Sequence, residues 1–260
     1  MAGGSVSREE DYHSFEREID KWRIRRKDSS DRKSYDEVFD QQNLMRVYKL
    51  FSDGVMDKFD FPISTGKEGN VFRASTLKGE LLAVKIYRTS TSTFSEMHKY
   101  IAGDPRFRGV PKSRKKLILA WAEKEFQNLR LFYNAGVRVP KPIARHDNIV
   151  VMEYIGDEVE PAKQLRYVKV DDPEGVARTV LGYVRLGYQK AKLVHCDLSE
   201  FNILMKGDEP VIIDVGQGVL LGHANAEEWL ERDVFNVVRY FNRYGLKLDV
   251  KKELEEIRKK

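Results

Sequence analysis

Between about residues 58 and 155 the apolar positions come in short blocks divided by glycine, proline and charged turns, which is strand patterning; beyond residue 172 they recur every three or four positions, which is helical patterning. Leu81-Leu-Ala-Val-Lys-Ile-Tyr reads as one strand, Phe61 to Ala74 as strand, glycine-rich turn and strand, and Val139 to Tyr154 as a further strand pair. Helices are expected over Ser34–Phe51, over Arg114–Ala135 with Gly136 closing it, over Pro173–Lys192 behind an Asp172 cap, over Ala226–Tyr244 and over Val250–Lys260. Residues 88–113 are rich in Ser, Thr, Gly and Pro and read as a long flexible insertion with one short helix near Phe94–Ile101. The segment before residue 56 is highly charged. Tyr12, Phe15, Ile19 and Trp22 keep helical spacing there until the polar run 28–34 breaks it.

Into this pattern falls a stretch with unusual polar residues, Val194 to Gly216. Its apolar blocks, Ile203–Met205 and Val211–Ile213, flank a turn at 206–210 and form a hairpin. Asp197, Asn202 and Asp214 then collect at one end of the paired strands. Taken singly they are ordinary turn residues. Together they are two carboxylates and an amide oxygen, hard ligands suited to Mg²⁺ that also holds a phosphate chain. The order H-x-D-x-x-x-x-N, followed by Asp after an apolar strand, is the arrangement of kinase-like phosphotransferases.

Such an enzyme needs further parts upstream, and each has a counterpart here. Ser64, Gly66, Lys67, Gly69 and Val71 lie in a G-x-G-x-x-G-x-V frame with Ser64 in the first glycine position; backbone N–H groups there can approach phosphates closely. Lys85 is embedded in an apolar strand beside Ala83, where an unpaired ammonium is costly, so an anionic partner is expected. Glu125 shares a helix face with Leu129 and is the preferred partner, with Glu123 as the alternative. At the end of the strand before Gly156, Met152 faces a pocket, while the Glu153 carbonyl and Ile155 amide are placed to pair with an adenine edge.

Composition narrows the setting. With 260 residues, 41% hydrophobic and 33% charged, the chain can build two lobes around a cleft. No apolar run approaches a membrane span, the N-terminus is polar rather than a secretory signal, and the single cysteine, Cys196, fits a reducing, cytoplasmic interior. The net charge of +5 is modest, but Lys21–Lys27 and Lys112–Lys116 are basic clusters, either solvated faces or contacts for nucleic acid.

In combination STGKEGNVF, AVKIY, VMEYI, HCDLSEFNIL and IIDVGQGV, in that order over about residues 60–244, resemble the RIO family of atypical serine kinases. The absence of a winged-helix pattern upstream resembles the branch without that domain, and the compact length suits an archaeal member. The resemblance implies an α+β, two-lobed protein-kinase-like fold. The N-terminal lobe is mostly β (56–155, with the insertion 88–113) and follows a helical extension (1–55). The C-terminal lobe is mostly α and reduced (156–260), without an activation segment or A-P-E helices. It implies ATP and Mg²⁺ (or Mn²⁺), with Lys85 on the phosphates, Asp197 on the incoming hydroxyl, and Asn202 and Asp214 on the metal. Asp214 is also a possible phospho-acceptor. Implied partners are pre-small-subunit ribosomal particles, their RNA or proteins, with autophosphorylation in 88–113, Ser113 favoured. Ser199 replaces the usual catalytic-loop Lys. Alternative readings are a small-molecule phosphotransferase of the aminoglycoside or choline kinase kind, disfavoured by the short 156–172 segment, and a non-catalytic ATP-binding scaffold on RNA.

Overall fold

The computed structural model describes residues 40–66, 68–88, 94–107, 109 and 113–259. The polar run 28–34, the Lys21–Lys27 cluster, Lys67, Thr89–Thr93 and Lys112 lie outside them. A five-stranded antiparallel sheet makes the first lobe, from β1 (Lys58–Thr65), β2 (Gly69–Ser75), β3 (Leu81–Tyr87), β4 (Pro142–His146) and β5 (Ile149–Glu153), in the order β1-β2-β3-β5-β4. Side chains alternate across a strand, and β3 shows the consequence. Leu82, Val84 and Ile86 pack with Phe72, Ile149 and Val151 under helix α1 (Gln41–Ser52). Ala83, Lys85 and Tyr87 face the other way, toward the cleft.

Helix α1 corrects one boundary. Its Leu44, Val47 and Leu50 are buried in the outer core of this sheet, and Asp40 caps its start by accepting from the Asn43 amide. Residues 41–52 therefore belong to the first lobe rather than to an extension. The insertion is corrected likewise. Its helix α2 (Phe94–Ile101) buries Met97, Tyr100 and Ile101 in the main core, with the Tyr100 ring 4.9 Å from Trp229 in the second lobe. Apolar residues at three- and four-residue spacing, unremarkable inside a Ser/Thr-rich run, anchor a bridge between the lobes.

Helix α3 (Arg114–Asn134) crosses behind the sheet and ends near Gly136, whose φ of 86° only glycine adopts freely. The second lobe contains the short β6 (Lys163–Gln164), helix α4 (Pro173–Leu186) capped by Asp172, and one π turn, Gly187–Ala191. The pair β7 (Leu193–Val194) and β10 (Val219–Leu220), the hairpin β8 (Ile203–Lys206) and β9 (Glu209–Ile212), and helices α5 (Ala226–Asn242) and α6 (Val250–Arg258) complete it. Between Asp214 and α5 stand only a 3-10 turn, Val215–Gln217, and β10, so no activation segment is present. Among the described residues no helix is long and apolar enough to cross a membrane.

Candidate active site

Strand alternation aims Lys85 at α3, and α3 answers with a carboxylate. Lys85 Nζ lies 2.7 Å from Glu125 Oε1 and 2.8 Å from Asp214 Oδ1. Of the two acids considered, Glu125 faces inward, 2% exposed, whereas Glu123 turns to Arg145. The Tyr87 hydroxyl takes the other Glu125 oxygen in a short hydrogen bond, so the buried carboxylate has both oxygens engaged. Burial opposes the charge on Lys85, but Asp214 and Glu125 outweigh it and hold the ammonium well above its ordinary value. Reciprocally, Lys85 holds the Asp214 carboxyl below its ordinary range.

The hairpin sets the remaining acids. His195 accepts the Asp197 amide on Nδ1 (3.2 Å), so the proton sits on Nε2, which donates to the Ile213 carbonyl (2.9 Å). Burial lowers the pKa of this imidazole, consistent with a neutral scaffold. Asn202 Nδ2 donates to the Asp197 backbone carbonyl at 2.8 Å and to Asp197 Oδ2 at 3.1 Å; Gln217 Nε2 donates to that same Oδ2 at 3.1 Å. Among the described residues no donor reaches Asp197 Oδ1. Burial pushes the Asp197 carboxyl up, against these hydrogen bonds.

Two adjoining cavities collect these groups. One, about 460 Å³, is lined by Ser64, Val71, Ala83, Met152, Glu153 and Ile155 with Lys85, Glu125 and Asp214, and is largely apolar at its far end. The other holds Gly66, Gly69, Glu68, Asn202 and Asp197 around Lys85. Gly69 is required by space: a Cβ there would stand 2.3 Å from the Ile86 carbonyl oxygen. The Glu153 side chain turns away to Arg138, two contacts of 2.8 Å, so only its backbone is available to a ligand. Burial raises the pKa of Glu68 in the phosphate-side cavity.

A divalent metal fits the residues present. Asn202 commits Nδ2 to Asp197, leaving its carbonyl oxygen unengaged, and Asp214 commits only Oδ1, leaving Oδ2 on a side chain 53% exposed. Among the described residues no group of three His, Cys, Asp or Glu forms a site of its own; Mg²⁺ commonly binds through one or two protein oxygens and draws the others from phosphates and water.

The supporting roles of five residues escaped the sequence reading. Asp233 on α5, 1% exposed, accepts the Cys196 amide (2.8 Å) and the Leu198 amide (2.9 Å), while Asn236 donates to the Leu198 carbonyl. Burial raises its carboxyl from 3.8 to about 7, against those two bonds. Lys124 and Asn128 on α3 donate to carbonyls of the segment after Asp214, and Gln217 steadies Asp197. The available signal was a polar residue on an apolar stripe, such as Asp233 between Trp229 and Val237, since a buried polar group requires partners. Cys196 is fully buried with its thiol pushed up, which excludes a nucleophile.

A β-rich lobe over a helical lobe, with a strand Lys paired to a helix Glu and a catalytic-loop Asp, defines a kinase-like phosphotransferase. The RIO1 family model, the RIO domain, matches residues 70–254, and the chain belongs to this family. It is 44% identical over 234 residues to the RIO-type serine/threonine-protein kinase Rio1 of Haloferax volcanii, covering 90% of this chain and 80% of that one. It is 39% identical over 247 residues to the human serine/threonine-protein kinase RIO1, covering 94% of this chain and 43% of the human one. The fold is similar to the Rio2 kinase of Chaetomium thermophilum, at a TM-score of 0.63 and 23% identity over 84% of this chain and 67% of the other.

Proposed function

We propose that this chain is an ATP- and Mg²⁺-dependent RIO-type kinase and ATPase. The observation that carries the reading is Lys85 bridging Glu125 and Asp214 at the junction of an apolar cavity and a polar one. The apolar cavity takes the base, with the Glu153 carbonyl and Ile155 amide at its edge, and the polar cavity takes the phosphates. When bound, Mg²⁺ neutralises charge on the phosphates, and Asn202 and Asp214 hold it through their unengaged oxygens. Lys85 supplies the fixed positive charge. Asp197, steadied on Oδ2, orients an incoming hydroxyl with Oδ1 and accepts its proton as the phosphoryl group is transferred. Positioning and electrostatic stabilisation then supply most of the rate.

For the ATPase output, the Asp214 carboxylate is the proposed acceptor, through the oxygen that does not hold Mg²⁺, taking the γ-phosphoryl group as ADP leaves and losing it to water afterwards. The C. thermophilum Rio2 kinase has been solved as an ADP/Mg²⁺-phosphoaspartate complex, which supports this. For the serine output, Ser113 stands exposed before the first turn of α3, without a capping hydrogen bond, beside exposed Arg114, Lys115 and Lys116. A phosphate there meets both the helix N-terminus and the cations. An archaeal setting is suggested by the Rio1 relatives of Haloferax volcanii and Methanocaldococcus jannaschii; action on a pre-small-subunit particle is proposed on the family resemblance alone.

The test is incubation with γ-labelled ATP and Mg²⁺. We expect turnover, lost in Asp197→Asn and Asp214→Asn, and cut at least tens-fold in Lys85→Ala because a charge aimed at the phosphates is removed. Label released by hydroxylamine marks an acyl phosphate on Asp214, whereas resistant label mapping to Ser113 marks the serine output. Near wild-type turnover in Lys85→Ala would sink the site assignment.

A further inference from the structure

In kinases with an activation segment, that segment controls whether the strand Lys, helix Glu and metal-binding Asp stand in register. Here the segment is a single turn, and something else must hold Asp214, which is itself in the left-handed region at φ 56°. Helix α3 carries the holding groups on the turn next to Glu125. Lys124 is fully buried, and its ammonium donates to the carbonyls of Gly216 (2.9 Å) and Gly218. No carboxylate pairs with it among the described residues. Asn128 Nδ2 donates to the carbonyls of Val215 and Gly218, both at 2.8 Å, and its Oδ1 accepts from Arg106 at 2.8 Å. Arg106 is fixed in turn by buried Asp104 of the insertion. The glycines make room for this: a Cβ on Gly216 would press on the Trp121 indole at 3.2 Å, and one on Gly218 would stand 3.0 Å from the Val194 carbonyl.

Resting on the kinase reading above, we propose that Lys124 and Asn128 are positioning residues for phosphoryl transfer, which lock the segment 215–218 to the helix bearing Glu125 and so build the active register into the fold. A purely structural role makes little use of an unpaired buried ammonium, because burying it is costly where an apolar side chain of the same length packs equally well. The buried amine is tolerated because it fixes two backbone carbonyls at once and lies under the loop that presents an anion to the cleft.

The experiment compares the full chain with Lys124→Met and Asn128→Leu, both near-isosteric. Three readouts are taken: hydrogen exchange at amides 213–220, turnover against ATP and Mg²⁺ concentration, and the thermal midpoint. For Lys124→Met we expect exchange at 213–220 to accelerate at least ten-fold while the strand amides of β2 and β3 keep wild-type protection. We expect kcat to fall about ten- to a hundred-fold, KM for ATP to stay within about three-fold, and the midpoint to stay or rise. Asn128→Leu should show the same split with a smaller loss. Unchanged kcat, an ATP KM that rises with kcat intact, or global loss of protection in both variants would overturn the proposal. A wild-type chain without ATP turnover whose loop exchange still responds to Lys124→Met would instead overturn the kinase reading and leave the clamp standing.

Discussion

The two loops that carry the working acids are held by opposite means from opposite lobes. The Asp197 loop is gripped by its amides: Asp233 of α5 accepts from Cys196 and Leu198, and Cys196 is pressed to φ 69°. The Asp214 loop is gripped by its carbonyls, through Lys124 and Asn128 of α3. Each grip offsets a left-handed residue, a conformation that costs about 1–3 kcal/mol outside glycine. The electrostatic results diverge. A buried carboxylate lies behind Asp197, and burial raises that acid's proton affinity; Lys85 pairs with Asp214 and lowers its proton affinity. In the proposed mechanism, two aspartates at one end of one hairpin take different tasks, proton acceptor and metal ligand, because their environments push them apart.

The sharpest break in that comparison is to exchange each acid for its amide. Asp214→Asn removes the charged metal ligand and one partner of Lys85. Turnover should fall on the order of 10³-fold, and added Mg²⁺ should no longer tighten nucleotide binding in a calorimetric titration. Asp197→Asn should cost about 10²-fold or more in turnover and leave the Mg²⁺ enhancement of binding intact. Equal loss of that enhancement in both variants would mean that the acids share one role.

Next in size is the support beneath Asp197. Asp233→Asn places an NH₂ where one of two backbone N–H groups now finds an oxygen, at a cost of roughly 1–3 kcal/mol. The variant also carries a pH signature. Asp233 binds its proton more tightly folded, at about 7, than at its ordinary value of 3.8. The stability it contributes is therefore complete below pH 3.8 and is lost as pH rises through about 7. The variant lacks this slope, so the gap between wild-type and variant unfolding free energies should be widest below pH 3.8 and narrow steadily toward about pH 7. A gap that widens with pH would show that the amide hydrogen bonds, not burial, govern this carboxylate.

The same contrast explains what was legible in the sequence. Strands announced themselves by apolar blocks, and the helix limits fell within a few residues because Asp172, Gly136 and Pro173 are local signals. Lys85, Asp197, Asn202 and Asp214 stood out because polar residues interrupt or end apolar strands at fixed spacing. Glu125 was readable over Glu123 from the helical face it shares with Leu129. The grips were not: the apolar stripe around Asp233 signals a buried acid but not which amides it meets, and nothing local distinguishes Lys124 from a solvated lysine. Their partners lie 92 and 37 residues away in sequence, and only the packed fold turns their stripes inward. The helices at 94–101 and before residue 52 were legible, but their docking was not, for the same reason: polar flanks masked the few apolar residues that dock them.

The smallest test concerns a single hydrogen bond across the divide. Gln217 belongs to the Asp214 loop, yet its Nε2 reaches Asp197 Oδ2, the oxygen already held by Asn202. Two donors on one oxygen fix the carboxylate plane and leave Oδ1 facing the cleft. In Gln217→Leu the Asn202 bond remains, so the loss is one partly exposed hydrogen bond, about 0.5–1.5 kcal/mol, or roughly two- to ten-fold in kcat. ATP KM and the Mg²⁺ requirement should hold, because Gln217 touches neither Lys85 nor the unengaged oxygens of Asn202 and Asp214. The pair Gln217→Leu and Lys124→Met then measures whether the loops communicate. If α3 positions Asp197 partly through Gln217, the double variant should lose less than the product of the two single losses. Strict additivity would mean that each lobe aligns its own acid independently.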